Sequence, residues 1–256
     1  MKCSRVLQKL RAGKVASCIK LNLDSSRVVE MAAMTGVDCV WLCTEHVPND
    51  WALLERQILA AKSQGADAMV RVARGSYSDY IRPLEMDAAG IMVPHIMSLA
   101  DAKNVVKMTR FHPIGRRPVD GGNADADFVR AGLLEYMAHA NRERFVAIQI
   151  EDPEPLDELE EIAALEGVDM LFFGPADFSQ GIGAPGQWDD PRIADTRKRV
   201  VDAALRHGKF AGTPGSPDTL DELVRMGYRF IPMGADVIGL VSYFRDIAAQ
   251  LLRLSE

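Results

Sequence analysis

Short apolar runs recur along the chain, and each is followed by a longer segment whose apolar residues repeat at helical spacing. That alternation is what successive βα units of a parallel sheet produce. The runs predict eight strands, at Ala16–Leu21, Cys39–Cys43, Ala68–Val72, Gly90–Pro94, Val146–Ile150, Met170–Phe173, Lys209–Gly212 and Phe230–Met233. Between them the spacing predicts helices over Arg27–Thr35, Trp51–Lys62, Tyr80–Asp87, Asp101–Arg110, Phe128–Asn141, Leu156–Leu165, Arg192–His207 and Thr219–Met226. Many are preceded by Ser, Asp or Pro, and several end at a glycine (Gly36, Gly65, Gly167, Gly208, Gly227), the usual start and stop signals. Eight strands without a G-x-G-x-x-G after the first favour a closed (β/α)8 barrel of the TIM type over an open doubly wound sheet. No low-complexity linker interrupts the series, so residues 1–256 read as one α/β domain.

Composition narrows the partners. The chain has 256 residues, 48% hydrophobic and 26% charged, which suffices for a substantial core. Its net charge of −6, with no run of five like charges, offers no basic stripe for a phosphate backbone, so nucleic acid is not an expected partner. The N-terminal segment has charges spread among its apolar positions, unlike a signal peptide, and no apolar stretch approaches a bilayer span; a cytoplasmic protein without membrane contact is expected. The four cysteines (Cys3, Cys18, Cys39, Cys43) contain no C-x-x-C pair and read as reduced thiols.

In such a barrel the reactive side chains come from the C-terminal strand ends and the loops after them. Here those positions hold Thr44-Glu45-His46-Val47-Pro48-Asn49-Asp50, Arg71, Gln149-Ile150-Glu151-Asp152 and Gly174-Pro175-Ala176-Asp177. Glu151 and Asp177, on neighbouring strand ends, suit one hard divalent cation. The Gly174-Pro175-Ala176 turn, leading into a short helix, reads either as an ordinary strand-to-helix turn capped by Asp177 or as one that aims free backbone N–H groups at a substrate carboxylate. Arg71, at a strand tip, should face an anion, either a forming enolate or a neighbouring carboxylate. His46 is the first choice for acid–base work near neutrality, with His95 a second imidazole on the rim; His112, His139 and His207 read as ordinary loop or helix residues. The 111–127 gap is a candidate wall or lid, and Arg74, Arg116, Arg117 and His95 are candidates to meet a substrate tail. A last apolar-faced segment, Asp236–Leu254, is expected to dock on the barrel or on a neighbour.

Taken in order, Glu45-His46-Val47-Pro48-Asn49-Asp50, Val70-Arg71-Val72, Gly90-Ile91-Met92-Val93-Pro94, Gln149-Ile150-Glu151 and Gly174-Pro175-Ala176-Asp177-Phe178-Ser179 resemble the HpcH/HpaI aldolases, class II pyruvate aldolases, over nearly the whole chain. The resemblance implies an aldehyde-lyase that cleaves or forms 4-hydroxy-2-oxo acids through a pyruvate enolate. It implies a magnesium, manganese or cobalt ion held by Glu151 and Asp177, ligand contact from Gln149, enolate stabilisation by Arg71 and proton movement by His46. The substrates would be a 2-oxo acid and an aldehyde. The alternatives are a citrate-lyase-β or malyl-CoA-type lyase, against which the Gly174-Pro175-Ala176-Asp177 turn speaks, and a non-catalytic oxo-acid-binding homologue.

Two positions depart from the family pattern. Where the family usually has Asp two residues before the Glu-His pair, this chain has Cys43. Where the family has the Asp that partners the histidine, it has Glu85, late in the helix before strand four and so at the barrel's other end. Glu85 can join a catalytic His46 only across a subunit boundary, which implies a homo-oligomer; the family resemblance makes it a hexamer, a trimer of dimers, with Asp236–Leu254 the C-terminal helix exchanged between subunits.

Overall fold

The computed structural model describes residues 1–253. Eight strands, β1 (Ala16–Lys20), β2 (Cys39–Cys43), β3 (Asp67–Arg71), β4 (Gly90–Val93), β5 (Phe145–Ile150), β6 (Met170–Phe173), β7 (Phe210–Gly212) and β8 (Phe230–Ala235), pair in chain order into a closed barrel. All pairings are parallel, and β8 closes onto β1. The helices are α1 (Arg5–Arg11), α2 (Ser26–Met34), α3 (Trp51–Ser63), α4 (Tyr77–Glu85), α5 (Leu99–Thr109), α6 (Leu133–Glu143), α7 (Leu159–Ala164), α8 (Pro175–Gly181), α9 (Pro191–Arg206), α10 (Leu220–Met226) and α11 (Asp236–Leu252). The fold is the expected (β/α)8 barrel. No helix among the described residues is long and apolar enough to cross a membrane.

The two faces of each strand explain both layers of the core. Val40, Leu42, Val70, Ile91, Val146, Ile148, Leu171 and Phe173 point outward and pack under the helices. Their alternates, including Cys39, Trp41, Met69, Met92, Phe145, Ala147, Met170, Phe172 and Phe230, fill the barrel interior. Trp41 meets Phe172 edge-on at 5.6 Å, and Phe172 and Phe145 each lie 6.3 Å from Phe230, so aromatic rings plug the middle. Gly90 is required there, since a Cβ would fall 2.4 Å from the Phe145 ring. The lower end is capped by α1, whose Val6, Leu7 and Leu10 are buried; its N-cap Ser4 accepts from Leu7 N at 3.1 Å and donates to Asp67 at 2.8 Å.

The five glycines predicted to stop helices all take positive φ, between 66° and 113°. The expected helix over Phe128–Asn141 is shorter at its start: Asp127, Phe128 and Val129 are left-handed, bonded back into the loop by Phe128 N to Asn123 O (2.9 Å) and Val129 N to Gly121 O (2.8 Å), and α6 starts at Leu133. The Leu156–Leu165 segment divides into a 3-10 turn, Glu154–Glu158, and α7. The end of the Asp236–Leu254 segment lies outside the described residues.

The 111–127 gap does not border the C-terminal mouth of its own barrel, as a wall or lid would. Arg117, buried, pairs with Asp125 at 2.9 Å and lies over the Phe111 ring, and Asp125 also binds Arg144 Nε at 2.7 Å. Arg144 reaches on to Asp87, which pairs with Lys62 as well. Arg144 and Asp87 precede β5 and β4, so this ion network fastens the loop to the N-terminal end of the barrel. Arg117 is therefore a structural cation and does not meet a substrate in its own chain. Replacing Arg144 by Ala leaves the buried Asp87 and Asp125 with one cation each, Lys62 and Arg117, and urea denaturation should register a loss of about 3 kcal/mol.

Candidate active site

Period-two alternation decides which side chains reach the mouth. Inward residues low on the strands are apolar, while their successors two positions on are Lys20, Cys43, Arg71, Gln149 and then Glu151. A cavity of about 460 Å³ opens there, lined by Lys20, Trp41, His46, Arg71, Gln149, Glu151 and the Gly174–Asp177 turn. The sequence-predicted residues His46, Arg71, Gln149, Glu151, Gly174, Pro175, Ala176 and Asp177 thus share one cavity.

Glu45 is the hub on the β2 side. Its carboxylate lies 2.9 Å from Arg71 Nε and 3.5 Å from both His46 Nε2 and His95 Nε2. Sequence reasoning quoted Glu45 in a motif but gave it no role; its adjacency to His46, beside the Arg71 strand, was the available signal. Arg71 is 4% exposed, and its Nε, although in ion-pair contact with Glu45, has no aligned hydrogen-bond acceptor among the described residues. The Cys43 thiol sits where a carboxylate was expected from the family pattern, 3.5 Å from Arg71 Nη2, and accepts from His46 N at 3.4 Å. Asn49 donates to Cys43 O at 2.9 Å and Asp50 caps α3, fixing the loop that carries His46.

Glu151 is 1% exposed. One of its oxygens accepts from His95 N at 3.0 Å and the other contacts the Gln149 amide closely. Burial pushes its pKa up to about 7; the His95 amide and ring work against the rise and the Asp177 carboxylate adds to it. His95 is held left-handed (φ 49°) and its Nδ1 lies 2.9 Å from Asp152. Burial alone would lower its pKa, but the Asp152 hydrogen bond and the Glu151, Asp152 and Glu45 charges raise it. These contacts make His95 a rim residue tied to carboxylates. Gly174 is indispensable to the turn, because a Cβ would come within 2.8 Å of both the Gln149 amide and Glu151 Oε2.

A cation fits this donor set. Two carboxylates charge-coupled across one cavity are hard oxygen donors, and the buried Gln149 Oε1 has no partner. Among the described residues no group of three or more His, Cys, Asp or Glu side chains is placed to hold an ion, so further ligands would come from water or substrate.

Glu85 is not brought to the cavity. It ends α4 at the opposite end of the barrel, where burial raises its pKa and its charged neighbours are Arg117, Asp120, Asp125 and Arg82. Arg74 is paired with Asp101 at 2.7 Å, away from the lining. Lys20 and Trp41 also line the cavity, and the sequence signal for Lys20 is its place as the polar residue at the end of its strand.

A model of the HpcH/HpaI aldolase/citrate lyase family matches residues 18–242. The chain is 31% identical over 248 residues to a hydroxypyruvate/pyruvate aldolase from Pseudomonas aeruginosa, covering 96% of this chain and 92% of that one. It is 30% identical over 237 residues to a 2-keto-3-deoxy-L-rhamnonate aldolase from Escherichia coli, covering 90% and 86%. The crystal structure of an HpcH/HpaI aldolase from Desulfitobacterium hafniense superposes with a TM-score of 0.89 at 27% identity, covering 96% of this chain and 95% of that one.

Because folded Glu151 keeps its proton to about pH 7 and an unfolded one releases it near 4.5, the ion-free native state binds more protons between those values. Its stability therefore falls as pH rises through that window and stays reduced above it. Glu151→Gln should stabilise the ion-free protein at pH 8, by on the order of 2 kcal/mol in thermal denaturation, while eliminating any stabilisation by added Mn²⁺.

Proposed function

This chain belongs to the HpcH/HpaI aldolase/citrate lyase family, and on that premise we propose that it is a divalent-metal-dependent aldolase that cleaves or forms 4-hydroxy-2-oxo acids through a pyruvate-type enolate. The observation that carries the reading is the meeting of Glu151 and Asp177 with Arg71 and His46 around one cavity. Glu151 and Asp177 would hold a magnesium, manganese or cobalt ion, which when bound supplies Lewis-acid polarisation of the oxo acid. Gln149 orients the ligand, and the Gly174-Pro175-Ala176 turn receives its carboxylate. In the cleavage direction His46 takes the proton of the 4-hydroxyl. The bond between carbons 3 and 4 breaks, its electron pair passing to the enolate while an aldehyde or ketone leaves; Arg71 stabilises the enolate charge. A proton returned to carbon 3 completes the oxo acid. Condensation is the reverse path.

The outer surface supports an assembly in which sites are shared. No residue of α11 is buried, and Ile238, Val241, Tyr243, Phe244 and Leu251 face outward. Beside it, Ile19, Leu21, Val28, Met31 and Met233 line an uncovered apolar groove over β1 and β8, where the last helix of a barrel would pack. A helix from a second copy of this chain is the occupant that satisfies both faces, and we take the assembly to be a trimer of dimers with Glu85 of one subunit serving His46 of another. Buried free thiols at Cys18, Cys39 and Cys43 suit a reducing cytoplasm.

A retro-aldol screen of 4-hydroxy-2-oxo acids, without added coenzyme A, should show Mn²⁺- or Mg²⁺-dependent release of pyruvate that a chelator abolishes. Glu151→Ala and Asp177→Ala should each lower kcat/KM roughly a hundred-fold or more; unaltered turnover in either would refute the mechanism. Mixing His46→Ala with Glu85→Ala subunits tests sharing: random pairing leaves about a quarter of sites with both residues, so activity should reappear on mixing. No recovery would show that Glu85 does not act across an interface.

A further inference from the structure

His95 lies two residues beyond β4, the strand that stands between β3, which ends in Arg71, and β5, which runs into Glu151. Its backbone N–H donates to Glu151 Oε1 at 3.0 Å. The ring of the same residue turns both nitrogens toward other carboxylates. Nδ1 lies 2.9 Å from Asp152 Oδ2, and Nε2 lies 3.5 Å from Glu45 Oε1, on the carboxylate that gathers Arg71 and His46. One residue therefore holds the proposed ion ligand with its main chain and both flanking carboxylates with its side chain.

This double reach depends on an uncommon backbone conformation. His95 has a φ of 49°, in the left-handed region, where a Cβ meets steric resistance. With the N–H directed at Glu151, rotation about φ decides where the side chain goes, and the left-handed value brings the ring to Asp152 and Glu45. The flanks hold the turn from outside the site: Pro94 and Ile96 are buried, Met97 N donates to Asp101 at 3.1 Å, and Leu99 N donates to Glu158 at 2.7 Å. A conformation kept against its own sterics, by contacts that end on a buried carboxylate, points to a role in orienting that carboxylate. A ligating carboxylate fixed by an outer hydrogen bond presents its remaining lone pairs in one direction.

We propose, resting on the ion site of the aldolase reading, that His95 is a positioning residue whose backbone N–H aims Glu151 at the divalent ion. Its ring, clasped between Asp152 and Glu45, holds the left-handed turn that keeps this N–H in place. His95 itself is not among the residues that line the cavity, so it acts through Glu151 and not on the ligand. The two halves of the mouth are joined by the same clasp, since Asp152 belongs to the β5 side and Glu45 to the β2 side.

Ion binding is read without turnover, by electron paramagnetic resonance of free Mn²⁺ during titration of the ion-free protein. His95→Ala should weaken Mn²⁺ binding roughly ten-fold or more, the range expected for a partner that orients a metal ligand. His95→Asn, which tolerates a left-handed backbone and keeps a side-chain donor for Asp152, should recover part of the loss. In Asp152→Ala protein, His95→Ala should have little further effect, because the ring has already lost its anchor. The Mn²⁺ concentration that gives half-maximal retro-aldol activity should rise by the same factor, with kcat at saturating Mn²⁺ less affected. Unaltered or tighter Mn²⁺ binding by His95→Ala overturns the proposal and leaves the ion site standing; tighter binding is what removing a nearby positive charge alone would give. Fully additive losses from His95→Ala and Asp152→Ala overturn it as well. Wild-type protein that binds no Mn²⁺ overturns the ion site, and with it both the His95 assignment and the aldolase reading. Should His95→Ala not fold, His95→Gly, which takes a left-handed φ without strain, is read by the same criteria.

Discussion

Closure of the sheet, β8 onto β1, is the constraint from which the site follows. A closed parallel barrel has no free edge, and its strands expose alternate residues to a single narrow interior. Aromatic and sulfur-bearing side chains fill that interior from below, with Phe145, Phe172, Phe230 and Trp41 in the middle. Polar inward residues are then confined to the top. Lys20, Cys43, Arg71, Gln149 and Glu151 converge because they are the next inward positions above a packed plug.

Charge at the mouth is arranged in two unequal halves. On the β2–β3–β4 side, Glu45 gathers Arg71, His46 and His95. On the β5–β6 side, Glu151 is buried beside Asp177 with no cationic side chain in hydrogen-bonding contact, and its raised pKa records that discomfort. A divalent ion bound there would relieve it. Cys43 beside Arg71 is a thiol and brings no carboxylate to that wall.

The opposite end of the barrel is held by a buried network, Lys62–Asp87–Arg144–Asp125–Arg117, that fastens the 111–127 loop. That network places Glu85 beside Arg117 and far from its own His46. A long loop after a strand normally borders the mouth; this one crosses to the other end because α5 intervenes and returns the chain there.

The sequence by itself determined the barrel, because strand and helix periodicities differ and glycine stops are local: every helix-ending glycine took a positive φ where expected. It also put Glu151, Asp177, Arg71, Gln149 and His46 at one mouth of the barrel, since position at a strand end or in the loop after it is readable from spacing alone. Only the tertiary structure decided what those ends face. Arg117, an apparent tail contact, proved a buried structural cation, and the left-handed run Asp127–Val129 ended a helical pattern through bonds to residues further back in the same loop. Glu45 emerged as a hub for Arg71, His46 and His95. These are facts of pairing between strands distant in sequence, and a side chain's burial or charge balance depends on neighbours that no local pattern encodes.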